Sequence, residues 1–169
     1  SVALVFPDDF LIAKNRAEGN LAPLYHYLSQ PEITEAEASE RFASIAGYTG
    51  CPGYIVHMTC EGALNAVRDN NRHNQKVFAE TCIQYLLLDA SLYEQNFDGA
   101  KWVMSPPLRE KKDQEALWAG INQGLVQVVA TDHCPFKWEQ KLMGKDDFSK
   151  IPNGHPAIEH RVELLFSEG

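Results

Sequence analysis

Short apolar runs rich in β-branched and aromatic residues alternate with amphipathic helical stretches along most of this chain, and that alternation limits what it can fold into. The runs fall at residues 54–60, 76–81, 102–105 and 126–131. Between them, residues 61–71, 84–89 and 113–122 have helical or turn character, with Ala63, Leu64, Ala66 and Val67 on one face of the first and Ala116, Leu117 and Ile121 on one face of the last. Strand and helix repeated at this spacing mean βα units feeding a parallel sheet, with right-handed crossovers. Strands buried on both faces read as near-continuous apolar runs, as these do. The class is therefore α/β, and a doubly wound sheet and a (β/α)8 barrel both satisfy the pattern. No Gly-rich phosphate loop follows any run, which counts against a nucleotide-binding sheet.

The flanking segments read less regularly. Residues 2–6 form a further short strand, ended by Pro7-Asp8-Asp9, and residues 10–18 a helix stopped by Gly19-Asn20. Residues 22–31 contain two prolines and read as irregular. Thr34 and Glu37 have capping-box spacing, with Glu35 in the same first turn. They open a helix whose inner face is Ala38, Phe42, Ile45 and Ala46, ended by Gly47 and Gly50. Gly124 caps the helix at 113–122. After Phe136 the pattern dissolves into a polar loop at 137–156, and a helix resumes at 158–166.

At 169 residues the chain has room for one domain with a real core. Its net charge of -8 counts against a nucleic-acid surface, and no apolar run approaches the length of a membrane span. Cys51, Cys60, Cys82 and Cys134 form no CxxC pair, which counts against a zinc ribbon or a dense disulfide scaffold. Reduced thiols in a cytoplasmic protein are the expectation, with Cys60, Cys82 and Cys134 as small buried residues. Both termini abut apolar runs, so residues 1–169 are expected to be a partial barrel domain within a longer chain.

The chemistry concentrates where the runs end. The run at 54–60 presents His57 and Thr59, the one at 76–81 Glu80 and Thr81, the one at 102–105 Ser105, and the one at 126–131 Asp132 and His133. In a parallel α/β barrel that end of each strand is where active sites are built. His57 and Asp132 are donor types that suit Zn²⁺ or a similar borderline cation, although a zinc site needs at least three protein ligands. Glu80 suits either of two roles, pairing with a basic neighbour or holding a ligating His from behind. His26, His73, His155 and His160 read as surface residues.

Several of these stretches carry a resemblance. Tyr54-Ile55-Val56-His57-Met58-Thr59-Cys60, Ala79-Glu80-Thr81-Cys82, Met104-Ser105-Pro106-Pro107-Leu108-Arg109, Ala130-Thr131-Asp132-His133-Cys134-Pro135-Phe136 and the segment from Gly144 to Gly154 resemble the dihydropyrimidinase and hydantoinase family of cyclic amidases. The similarity is collinear from about Ala17 to Gly169. It implies a portion of a (β/α)8 barrel with a centre of two divalent metal ions, Zn²⁺ or Mn²⁺, and a small cyclic amide as substrate. His57 would ligate one metal. Asp132 would ligate the other and carry the proton. Ser105 and Asn153 would bind the amide edge of the ring. A cytoplasmic homotetramer without nucleic-acid or membrane partners is the implied setting.

The sequence also departs from the family. Residues 2–9 lack its His followed by acidic and Asn residues, Ile83 stands where Pro is usual, and the His-x-His pair and bridging lysine find no match. The isolated polypeptide is therefore expected to be inactive. The alternatives are a collapsin-response-mediator-like scaffold without enzymatic activity, an allantoinase- or dihydroorotase-type amidase, and an inert fragment. Keeping both His57 and Asp132 favours the enzyme branch.

Overall fold

The structure is a computed structural model that describes residues 8–71 and 76–169. Its centre is a sheet of three parallel strands in the order β1 (Gly53–Ile55), β2 (Val77–Cys82) and β3 (Val128–Ala130). Gly53 pairs with Val77 and Ile55 with Ala79, while Glu80 pairs with Val128 and Cys82 with Ala130. The ladder continues past the assigned ends: the Met58 N–H donates to the Glu80 carbonyl at 2.7 Å, and the Gln127 N–H donates to the Ala79 carbonyl at 3.0 Å.

Helix α4 (Glu61–Asn71) crosses from β1 to β2 with the bounds its periodicity predicts, and Ala63, Leu64, Ala66 and Val67 are all buried. Helices α5 (Ile83–Leu87) and α6 (Lys111–Asn122) follow β2. Glu110 caps α6 in a reciprocal capping box with Asp113, and Gly124 ends the segment in the left-handed region at φ 70°. Leu117 is buried, whereas Ala116 and Ile121 are only partly so. At Gly120 an added Cβ would sit 2.8 Å from Leu64 Cδ2, so the missing side chain is what lets α6 close on α4. Leu64, Val67, Val77, Ala79, Leu117 and Val126 form the core beneath one face of the sheet. Tyr54, Phe78 and Val128 lie on the other face, each about two-fifths exposed.

The N-terminal helices are α1 (Asp8–Ala17), α2 (Leu24–Leu28) and α3 (Glu32–Thr49). The prediction at 10–18 is met by α1, and residues 2–6 lie outside the described residues. The stretch at 22–31 is not wholly irregular, because its prolines sit at or before helix starts, where a missing N–H costs nothing. The capping box predicted at Thr34 and Glu37 does not form. Helix α3 begins at Glu32, and the Thr34 hydroxyl donates instead to the Pro31 carbonyl at 2.8 Å. Ala43 takes the inward place predicted for Ile45, which is exposed. Gly47 lies within α3, and Gly50 alone ends it, at φ 67°.

Two further expectations fail. Residues 102–105 are no strand: Val103 and Met104 are buried, but side chains and a loop take up their carbonyls, and no neighbouring strand does. The segment 137–156 is no open loop. It holds α7 (Trp138–Lys141) and two 3-10 turns, with Phe148 and Ile151 fully buried. Helix α8 (Arg161–Glu168) closes the chain. No described helix is long and apolar enough to cross a membrane.

Candidate active site

His57 and Asp132 each stand two residues past a strand end, β1 and β3 respectively, with positive φ of 40° and 44°. Non-glycine residues visit that region rarely and at a cost, so two such residues at one end of a sheet point to a functional demand. His57 is half-buried and Asp132 exposed, and neither side chain makes a hydrogen bond or ion pair among the described residues. Burial first, then the nearby Asp132 and Glu80 carboxylates, push the Cys82 thiol up to about 12. That electrostatic coupling sets Asp132 beside the end of β2.

The surroundings are tightly tied. The Glu35 carboxylate accepts from the Thr59 N–H at 2.7 Å and from the Thr59 hydroxyl. Arg109 donates through Nη2 to Glu35 at 3.0 Å, through Nε to the Thr59 hydroxyl at 2.9 Å, and through Nη1 to the Gln30 carbonyl. Both side chains of this ion pair are buried, at 4% and 6% exposure. The network fixes the backbone two residues beyond His57. On the other side, Gln84 Nε2 donates to the Thr131 carbonyl at 3.1 Å and fixes the residue before Asp132. Glu80 does not back a histidine among the described residues: it accepts from the Tyr54 hydroxyl at 2.6 Å.

Ser105 and Asn153 share a pattern. Neither makes a hydrogen bond among the described residues, while their neighbours are pinned. The Met104 carbonyl accepts from His26 Nε2 at 2.7 Å, and the Pro106 carbonyl from the Tyr85 hydroxyl at 2.8 Å. The Gly154 N–H donates to the Val103 carbonyl at 3.0 Å. Lys141 Nζ donates to the carbonyls of Val103, Pro152 and Gly154 at 2.8, 2.7 and 3.1 Å. A bridge between His133 and His155, with the Cys134 N–H donating to the His155 carbonyl at 3.2 Å, ties the Asp132 loop to the same segment.

Several of these residues escape the sequence reading. Lys141 lies in a stretch that reads as polar loop. Glu35 and Arg109 are charged residues with no local sign of burial. His26 and His155 are not surface residues: His26 is buried and His155 half-buried, while His160 is exposed and His73 lies outside the described residues. Of the cysteines, Cys60 and Cys82 are buried as expected, but Cys134 is exposed, and none is in a disulfide.

His26 carries a testable consequence. Burial lowers its pKa from 6.5 to about 4, partly offset by the bond to Met104. The Gln30 amide faces Nδ1 at 3.3 Å, which suits a neutral ring with its proton on Nε2. Between pH 6.5 and 4 the unfolded chain binds a proton that the folded chain refuses. Stability is therefore intact above 6.5 and falls as the pH drops towards 4, by up to about 3 kcal/mol from this group. Burial also lowers the pKa of His155 to about 4, and its partial exposure makes its share smaller. Urea midpoints at pH 7 and pH 4.5 should differ in the wild type and differ much less in His26→Gln. An equal acid loss in both proteins would refute the assignment.

Zn²⁺-type cations take imidazole and carboxylate ligands, so His57 and Asp132 have suitable donors free to bind. They make up only part of a ligand set, because no three His, Cys, Asp or Glu side chains gather into a metal site among the described residues.

No family model matches the chain. It is similar to a D-hydantoinase of Geobacillus stearothermophilus, 44% identical over 163 residues that cover 95% of this chain and 35% of that protein. It is likewise similar to a D-phenylhydantoinase of Escherichia coli, 46% identical over 176 aligned positions that cover 100% of this chain and 38% of that protein. Among solved structures, a D-hydantoinase superposes with a TM-score of 0.94 at 46% identity, covering 96% of this chain and 36% of that one. A dihydropyrimidinase from Brevibacillus agri gives 0.94 at 43% identity, with the same coverage. The chain thus spans a little over a third of the length of the relatives it matches. Its parallel sheet and flanking helices are a portion of a (β/α)8 barrel. By sequence and by fold, the chain belongs to the dihydropyrimidinase and D-hydantoinase family.

Proposed function

We infer that these residues are one part of the active site of a metal-dependent cyclic amidase that opens a dihydropyrimidine or hydantoin ring to an N-carbamoyl amino acid. The observation that carries this reading is the pair of side chains, His57 and Asp132, unpartnered among the described residues and set just past the ends of β1 and β3, the two strands that flank β2 in a family barrel. His57 and Asp132 would contribute ligands to divalent cations, Zn²⁺ or Mn²⁺, which when bound would supply acidity to water and polarise a ring carbonyl. Asp132 accepts the proton of the attacking water and returns it to the leaving ring nitrogen, acting as general base and then general acid. The carbonyl carbon gains oxygen from water, the C–N bond breaks, and the nitrogen leaves protonated. The free backbone groups of Ser105 and Asn153 hold the amide edge of the ring so that one face meets the nucleophile. The choice of metal, a homotetramer and a cytoplasmic location rest on the family resemblance alone.

The test is an assay of the full-length chain with Zn²⁺ or Mn²⁺ on dihydrouracil and hydantoin, following the N-carbamoyl product. Chelator-sensitive ring opening is expected. Residues 1–169 alone should show no turnover, because His57 and Asp132 by themselves cannot hold two cations roughly 3.5–4 Å apart. A full-length chain that binds metal but opens neither ring would favour the non-enzymatic scaffold instead. Turnover by residues 1–169 near that of the full chain would contradict the ligand argument.

A further inference from the structure

Lys141 is the least expected residue of the region. Its side chain lies in the interior, at 4% exposure, yet no ion pair among the described residues engages it. Burying an ammonium without a carboxylate is costly, and burial indeed pulls its pKa down from 10.5 to about 8. What compensates is three carbonyl oxygens at 2.7–3.1 Å, one for each N–H of the ammonium, and the Phe136 ring, whose centroid is 5.5 Å from Nζ. Cys134, His26 and His155 are the other titratable groups coupled to this charge. At neutral pH the lysine is an ammonium with every donor in use.

The three carbonyls are not scattered. Val103 belongs to the segment that ends in Ser105, and Pro152 and Gly154 flank Asn153. A trans peptide group points its C=O and N–H in opposite directions. Drawing the Pro152 carbonyl onto Nζ therefore turns the Asn153 N–H away from the lysine, free for another acceptor. No hydrogen bond among the described residues uses that N–H. The bond from the Gly154 N–H to the Val103 carbonyl joins the same two segments directly, but a single bond leaves a hinge between them. The ammonium closes that hinge. Gly154 itself admits no side chain, since an added Cβ would lie 2.3 Å from the Cys134 carbonyl oxygen, so the segment is pressed against the Asp132 loop as well.

We propose that Lys141 is the positioning residue for the amide-binding edge of the site, its buried ammonium holding the Ser105 and Asn153 segments in one arrangement through the carbonyls of Val103, Pro152 and Gly154. This rests on the cyclic-amidase reading, in which those two residues meet the ring. The three donors of Lys141 are taken by backbone carbonyls, so it acts through the segments it ties. Its removal should weaken binding shared by the ground state and the transition state, and so act mainly on KM.

The experiment uses the full-length chain with Lys141→Met, which keeps length and removes every donor, and Lys141→Gln, which keeps two. KM for dihydrouracil or hydantoin should rise about ten- to a hundredfold in Lys141→Met and less in Lys141→Gln, the loss of one or two hydrogen bonds to substrate. The turnover number should stay within about threefold and the metal content should not change. Hydrogen exchange at the Gly154 N–H, which bonds the Val103 carbonyl, should accelerate in both variants. An unchanged KM, or a loss of turnover in step with lost metal, would overturn the proposal. Should Lys141→Met fail to fold, Lys141→Gln decides by the same criteria. If the wild type opens neither ring, the cyclic-amidase reading falls by itself. The tie is then judged by exchange: faster exchange at the Gly154 N–H supports it, and unchanged exchange overturns it.

Discussion

Asp132→Ala in the full-length chain should lower ring opening by at least about a thousandfold and reduce bound metal together with it. The size follows from two losses at one position. Removing a positioned general base costs about 10²–10⁴ in rate, and removing a ligand weakens the hold on a cation that acidifies water. Asp132 is suited to both roles because no hydrogen bond or ion pair among the described residues engages its carboxylate, while the residues around it are fixed by Gln84 at Thr131 and by the His133–His155 bridge. Asp132→Asn separates the two losses. Its amide keeps an oxygen donor but cannot take up the proton, so metal content should fall less than turnover does. Turnover and metal content unchanged in Asp132→Ala would remove Asp132 from the site.

The second large effect is structural. Arg109→Met should cost about 3–5 kcal/mol of stability, because it leaves the Glu35 carboxylate buried with only the Thr59 groups to satisfy it. Burial opposes the guanidinium charge, but the Glu35 carboxylate together with Cys60 and Tyr27 outweighs it, so the Arg109 pKa moves up. Domains of this size have roughly 5–15 kcal/mol to lose. The double variant Glu35→Leu, Arg109→Met should recover part of the deficit, since no uncompensated charge remains inside. Denaturant melts of the three proteins give the answer. A loss below about 1 kcal/mol in the single variant would mean that the pair is solvated and does not clamp Thr59.

Much of the fold was legible because it is written in local periodicity. Helix α4 has the predicted bounds, and the inward residues Ala63, Leu64, Ala66 and Val67 follow from spacing alone. The strands at 54–60 and 126–131 were legible as to place but overextended: the first runs past Ile55 into the residues that turn towards the site, and the second starts early, at Val126, whose N–H donates to the Gly120 carbonyl at the end of α6 instead of joining the ladder. The run at 102–105 misled for a different reason. Apolar residues before two prolines signal burial, and Val103 and Met104 are buried. Whether such a segment joins a sheet depends on what satisfies its carbonyls, and here those partners are Lys141, His26 and Gly154, far away in sequence.

The candidate site divides in the same way. His57, Ser105, Asp132 and Asn153 stand out because they sit in motifs at strand ends or in the following loop. Lys141 does not, since Trp138-Glu139-Gln140-Lys141 reads as part of the polar loop at 137–156, and only three distant carbonyls converging on Nζ mark it out. Glu35 fits a helix first turn equally well, and tertiary pairing with Arg109 and Thr59 overrides that local role.

The central claim is that the ends of β1 and β3 deliver His57 and Asp132 to one metal-dependent site. Anomalous diffraction from crystals of the full-length chain grown with Zn²⁺ tests it most directly. Metal peaks are expected within about 2.0–2.2 Å of a ring nitrogen of His57 and of a carboxylate oxygen of Asp132. Metal bound elsewhere in the barrel, with both side chains unligated, would contradict it.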